Sequence, residues 1–309
     1  MKKLNTKKFR NFMLAMGMTS LVAVAGGCKQ DNQATEEAGI DNDQAKAEAS
    51  VMSYEEFRSQ VYQEKGTGVF IVNGDEMISN EKKLKEFYQR LVAVQSGADE
   101  SIVHQSGGQD VVWSDTQKKN LTYCISNSFG SYKTEVINTM AAAAGAWEAL
   151  TDLDFVYVSS QDGNCTSSNN NVLFDVNYVT GQSYLARAFF PDDARSSRNV
   201  LIDESSFTSS VALIGILRHE LGHVLGLRHE HTRPEAGTCF EDNNWRALTT
   251  YDQASVMHYP QCNGISSWDL EITSKDTTGI QALYDDGGTT PPAGGDATIS
   301  GEASVAQNE

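Results

Sequence analysis

The sequence predicts an α+β unit filling a little over half of the 309 residues, on three observations. Short strand-like runs alternate with helical ones between about residues 118 and 286. One of the helical runs carries histidines four positions apart on a single face. Hydrophobic content of 39% suffices for one principal core plus a small extra unit. In chain order, residues 29–50 are rich in Gln, Glu, Asp and Ala without apolar periodicity and read as a flexible tether. Residues 51–110 show helical patterns at Tyr54–Tyr62 and Glu81–Val94 around a strand-like Val69–Val72, too little for an independent domain. Leu121–Ile125 is a strand. Thr134–Leu150 is a helix with Val136, Met140, Ala143, Ala144 and Trp147 on one stripe. Asp154–Val158, Asn171–Tyr178, Leu185–Phe190 and Asn199–Ile202 read as further strands. A helix capped by Ser209 or Ser210 follows, with Ile214, Leu217, Leu221 and Leu225 facing the core. Thr273–Tyr284 closes the unit, and residues 287–309 form a low-complexity tail.

The chemistry lies in the run from His219 to His229. Residues four apart on a helix share a face, so His219 and His223 can hold one metal ion. Glu220 flanks that face and reaches a water without ligating the ion. Gly226 lets the chain leave the helix and bring His229 back as third ligand. Three protein ligands leave one position for water, the arrangement of a single hydrolytic zinc ion.

Downstream, Ser255-Val256-Met257-His258-Tyr259 places a methionine after a loop-like stretch. With the extended histidine motif it resembles the metzincin zinc endopeptidases, in the astacin form of both signatures. Gly222 and Ala186–Pro191 are instead similar to matrixins. The resemblance implies a metzincin catalytic domain over residues 111–286: a twisted, mostly parallel sheet with one antiparallel edge strand, an active-site helix and a Met-turn. By the same resemblance Met257 forms an apolar floor under the metal, and Tyr259 swings from the metal to stabilise the tetrahedral intermediate. Glu230, directly after the third histidine, is left between the astacin role of pairing with a buried N-terminus and that of a surface acid.

The N-terminus reads as an export signal over residues 1–27: five positive residues up to Arg10, then an apolar stretch from Met13 to Ala25 too short for a stable span. Ala25-Gly26-Gly27-Cys28 resembles a lipoprotein box, and Ala23-Val24-Ala25 would suit ordinary signal cleavage. Lipidation of Cys28 leaves Cys124, Cys165, Cys239 and Cys262, an even set for an oxidising compartment. Of the three pairings, Cys239 with Cys262 and Cys124 with Cys165 are preferred. A bacterial lipoprotein of the cell envelope is expected, a secreted protein being the alternative. The formal charge of −17 becomes −22 once the five positive residues leave, which disfavours nucleic acid and anionic lipid. The partners expected are protein or peptide substrates, the membrane enters only through a lipid anchor, and the chain is expected to be monomeric.

Residues 51–110 suit a pro-segment that keeps the peptidase latent. They contain no cysteine, but Phe70-Ile71-Val72-Asn73-Gly74-Asp75 is comparable to the context of the aspartate that blocks the metal in astacins. The competing reading of the same residues is an ordinary hairpin turn. The function expected is a zinc-dependent endopeptidase, with a catalytically silent, surface-anchored zinc protein as the rival. Glu220 and Tyr259, unnecessary for metal binding, weigh against the rival.

Overall fold

The computed structural model of the chain describes residues 52–93, 102–265 and 268–285. The signal, the tether with Cys28 and the C-terminal tail lie outside these residues. Among the described residues no helix is long and apolar enough to cross a membrane.

The leading segment begins with α1 (Tyr54–Gln60), whose Ser53 and Glu56 form a reciprocal capping box. Strands β1 (Tyr62–Gln63), β2 (Phe70–Val72) and β3 (Glu76–Ile78) make a small antiparallel sheet, followed by α2 (Glu81–Ala93). Alternation along β2 gives this sheet two buried faces. Phe70 and Val72 join Phe57, Leu84 and Phe87 in a satellite core, while Ile71 and Met77 enter the principal core. The leading segment is therefore packed into the main unit.

Strands β4 (Val103–Ser106) and β5 (Gln109–Asp110) form a hairpin, and the short helix α3 (Asp115–Lys118) is capped by Ser114. The principal sheet uses β6 (Leu121–Ile125), β7 (Phe155–Tyr157), β8 (Phe174–Val179), β9 (Ala186–Arg187) and β10 (Asn199–Asp203), with α4 (Lys133–Glu148) between β6 and β7. Its order is β7-β6-β8-β10-β9, parallel except for β9 at the edge, which pairs antiparallel with β10. The mixed architecture agrees with the expected α+β class. The strand expected at Leu185–Phe190 is shorter because the amide of Phe190 donates to Asp193 at 3.0 Å instead of to a strand partner.

Helix α4 buries the five residues of its predicted stripe and lies against α5 (Leu213–Val224), where Trp147 Nε1 donates to the carbonyl of Arg218 at 3.0 Å. The chain then forms β11 (Trp245–Arg246), paired with β4, and α6 (Ser274–Tyr284) behind its N-cap Thr273. Two local expectations about α5 are corrected. Its N-cap is Ala212 without a side-chain bond, since the Ser209 hydroxyl accepts from the amide of Val211 ahead of the helix. Ile214 is half-buried, whereas Leu217, Leu221 and Leu225 are buried as expected and are joined by Leu213, Ile216 and Val224. Both preferred disulfides are present, Cys124–Cys165 and Cys239–Cys262.

Candidate metal centre

Helix α5 places His219, Glu220 and His223 in its last two turns, and all three are buried. Gly226 follows with φ +93°, a conformation costly for residues bearing a Cβ. A Cβ there would also lie 2.3 Å from the carbonyl oxygen of Val111. The chain therefore turns tightly enough to return His229 to the two helix histidines. Gly226→Ala is expected to lower unfolding stability by at least ~2 kcal/mol in a denaturant titration. Unchanged stability would show that the turn tolerates a side chain.

The three imidazoles converge through the same atom. His219 Nδ1 donates to the carbonyl of Val256 at 2.7 Å, and His223 Nδ1 to that of Leu227 at 2.8 Å. Carbonyls only accept, so each ring carries its proton on Nδ1 and turns a bare Nε2 lone pair inward. His229 Nδ1 points at Glu241 Oε1 at 2.7 Å. The Nε2 atoms of His219 and His223 each stand 3.2 Å from Nε2 of His229. Three inward lone pairs at that separation repel one another unless a cation sits between them, and supporting acceptors behind metal-ligating histidines are usual. The donor set thus fits zinc.

Asp75 is the fourth member of the cluster. Strands β2 and β3 pair Val72 with Glu76, so residues 73–75 form the connecting turn, with Asn73 and Gly74 at positive φ. The turn sets the Asp75 carboxylate 3.0 Å from His229 Nε2, 3.3 Å from His219 Nε2 and 3.7 Å from His223 Nε2. The two competing readings set out above do not exclude each other: the turn is a hairpin turn, and its aspartate faces the three histidines. Asp75 Oδ1 and Glu220 Oε2 are buried without a hydrogen-bond partner, as expected of atoms arranged for an ion or a water. Tyr259 donates its hydroxyl to Asp75 Oδ2.

Electrostatics at the site are strongly coupled. Burial pushes the Asp75 carboxyl up, yet positive charge at the histidine cluster, above all beside His229, and contacts with all three rings outweigh it and hold the group well below its ordinary range. Burial, then the Asp75 charge, raise Glu220 well above the usual glutamate value. Burial lowers His219 and His223 and keeps them neutral. It also opposes a positive charge on His229, while the Asp75 and Glu241 carboxylates favour one; a cation held between the three Nε2 atoms supplies that charge in place of a proton.

Met257 packs against the helix rather than standing free. A Cβ on Gly222 would meet its Sδ at 2.4 Å, so a glycine is what lets the turn approach α5. The turn itself is held by Asp276, which accepts from the Ser255 hydroxyl at 2.6 Å and from the Val256 amide at 3.0 Å. Asp276 and Glu241 are supporting residues that sequence reasoning missed. The Thr273-x-x-Asp276 capping pattern was a usable signal for the first. Glu241 sits in an irregular loop with none. Glu230 is not a surface acid: it is buried, accepting from Arg233 at 2.7 Å and from the amide of Asp252 at 2.9 Å.

Residues 112–236, which contain all three histidines and Glu220, match the matrixin family model of the M10 peptidases. A bone morphogenetic protein 1 homolog from Strongylocentrotus purpuratus is 39% identical over 64 residues, 15% of this chain and 10% of that protein. Matrix metalloproteinase-20 from Homo sapiens is 26% identical over 174 residues, 54% of this chain and 32% of that protein. The chain thus spans a third or less of the curated relatives it matches. Among solved structures, high choriolytic enzyme 1, a hatching enzyme zinc-protease from Oryzias latipes, is 19% identical with a TM-score of 0.39. Myroilysin is 16% identical with a TM-score of 0.40, and in both cases 59% of this chain and 98% of the other are covered. The family match coincides with the convergent histidines, and the chain is metzincin-like.

Proposed function

We propose that this chain is a zinc endopeptidase of extracellular or periplasmic proteins, made latent and activated by removal of its leading segment. The observation that carries the reading is the convergence of three bare Nε2 atoms beside a buried, unpartnered Glu220 oxygen. His219, His223 and His229 would hold one zinc ion. When bound, the ion supplies a Lewis acid that acidifies water and polarises a peptide carbonyl. Glu220 accepts the proton of the attacking water and returns it to the leaving amine. Tyr259 directs its hydroxyl at the oxygen that becomes negative. Met257 backs the site as an apolar support. The substrate runs along the free edge of β9, main chain to main chain, which orients the scissile bond.

The leading segment supports latency because Asp75 takes the place a substrate carbonyl needs and engages Tyr259. Strand β4 is built into the catalytic unit through β11 and the carbonyl of Gly226. A cut that frees the cleft therefore falls ahead of it, between residues 93 and 102. Export as a lipoprotein is supported by the basic, apolar N-terminus and by Cys28 being the one cysteine left over once the two disulfides form. Intact mass of the membrane fraction is expected to show a diacylglyceryl addition at Cys28; an unmodified mature protein in the medium would favour the secreted form.

Digestion of casein or gelatin by zinc-loaded, trimmed protein tests the reading, and absence of cleavage favours the silent zinc-binding alternative. Tyr259→Phe refines it. Its hydroxyl is needed mainly in the transition state, so kcat is expected to fall about 10- to 100-fold with KM little changed. An unchanged kcat reduces Tyr259 to a packing role.

A further inference from the structure

We propose that Arg187 forms a cationic subsite that accepts an acidic side chain of the substrate, and that Glu64 of the leading segment occupies it in the full chain. The inference rests on the peptidase reading above and names a substrate feature that the reading leaves open.

Glu64 and Arg187 are 123 residues apart in sequence, and each side chain is only 1% exposed. Their pairing is a two-point fork: Nε to Oε1 at 2.8 Å and Nη2 to Oε2 at 3.0 Å. The Tyr184 hydroxyl donates to Oε1 at 2.5 Å, and the Thr67 hydroxyl to Oε2 at 2.7 Å. Three of these four donors belong to the catalytic unit and stay when the leading segment departs. The guanidinium is oriented without that segment, because Nη1 donates to Asn199 Oδ1 on β10 at 2.7 Å. Arg187 therefore behaves as a preformed carboxylate receptor.

Removal of the leading segment takes away both Glu64 and Met77, whose Sδ lies 3.5 Å from Nη1. The guanidinium then keeps a neutral partner only, and a cation already oriented by Asn199 at the newly opened edge strand favours a ligand that supplies two carboxylate oxygens. Of the neighbouring acids, Asp175 is engaged with Arg195 at 2.7 Å and Asp193 with the amide of Phe190 at 3.0 Å, while Glu220, within electrostatic reach of Arg187, lines the catalytic cavity. Position places the receptor on the substrate path. Ala186 lines the cavity shared by His219, Glu220 and Tyr259, and strand alternation sends Arg187 to the opposite face of the same edge. Met77, in contact with Arg187, follows two residues after Asp75 at the histidines. A peptide extended from the metal thus reaches Arg187 within about two residues.

The test uses the full chain, zinc-loaded and trimmed by limited proteolysis, on quenched peptides that differ only by Glu or Gln at each position near the scissile bond. At one position the Glu peptide is expected to give a kcat/KM at least about tenfold higher, the size of a charge-assisted hydrogen bond. Arg187→Gln is expected to bring that ratio close to one, and Arg187→Lys to restore part of it. Should Arg187→Gln fail to fold, Tyr184→Phe, which removes one donor from the same receptor, is expected to reduce the ratio. Equal rates for Glu and Gln peptides at every position, or a ratio that survives Arg187→Gln, overturn the subsite while leaving the peptidase reading intact. No cleavage of any peptide overturns both.

Discussion

Glu220→Gln is expected to leave zinc bound and to lower kcat of the trimmed protein by about 10²- to 10⁴-fold, the contribution of a positioned proton carrier. The amide keeps the shape of the side chain and loses only the ability to take the proton. Replacing His219, His223 or His229 by Ala should produce the opposite pattern. Each loss removes an Nε2 from a three-nitrogen set, so zinc affinity should fall by more than the 10- to 100-fold typical of losing a supporting partner such as Glu241, and zinc should be lost on dialysis. Metal analysis beside steady-state kinetics separates the two classes. Full peptidase activity in Glu220→Gln would remove the general-base role.

Asp75→Ala in the full-length protein is expected to release activity, or self-cleavage ahead of residue 121, while the parent stays latent. The carboxylate sits within 3.0 to 3.7 Å of the three histidines, so its removal opens the position where substrate must bind. A ligand tethered to its own site acts at high effective concentration, and the expected gain is on the order of 10²-fold. The hairpin should survive the change, because Asn73 and Gly74 supply its positive φ values and β2 pairs with β3 independently of Asp75. An Asp75→Ala chain as inactive as its parent would leave Asp75 a turn residue only.

Much of the centre was legible because it is local. The offsets among His219, Glu220, His223, Gly226 and His229 obey helix and turn geometry, and four cysteines in even number imply two disulfides, of whose three possible pairings the preferred one is found. Strand β6 has the expected bounds because its apolar run ends at Ser126, which begins a turn. Illegible parts depend on distant pairings. Arg228 is buried among Glu76, Glu241 and Asp242, and no periodicity signals that loop carboxylates will meet it. The Ser209-Ser210 pair misled because a hydroxyl near a helix start can satisfy a loop amide instead of the helix. The expected stripe of α5 fails at Ile214 because the helix is covered on more than one side, which erases a clean single face.

The central claim, a zinc peptidase held latent by its own leading segment, is tested most directly by one casein digestion series. Zinc-loaded full-length protein is assayed before and after limited proteolysis, each with and without a chelator. The account predicts little cleavage before trimming, strong cleavage after it, loss with the chelator and recovery on adding zinc. Trimmed protein that retains one zinc ion per chain yet cleaves nothing would contradict it, as would casein cleavage that survives complete removal of the metal.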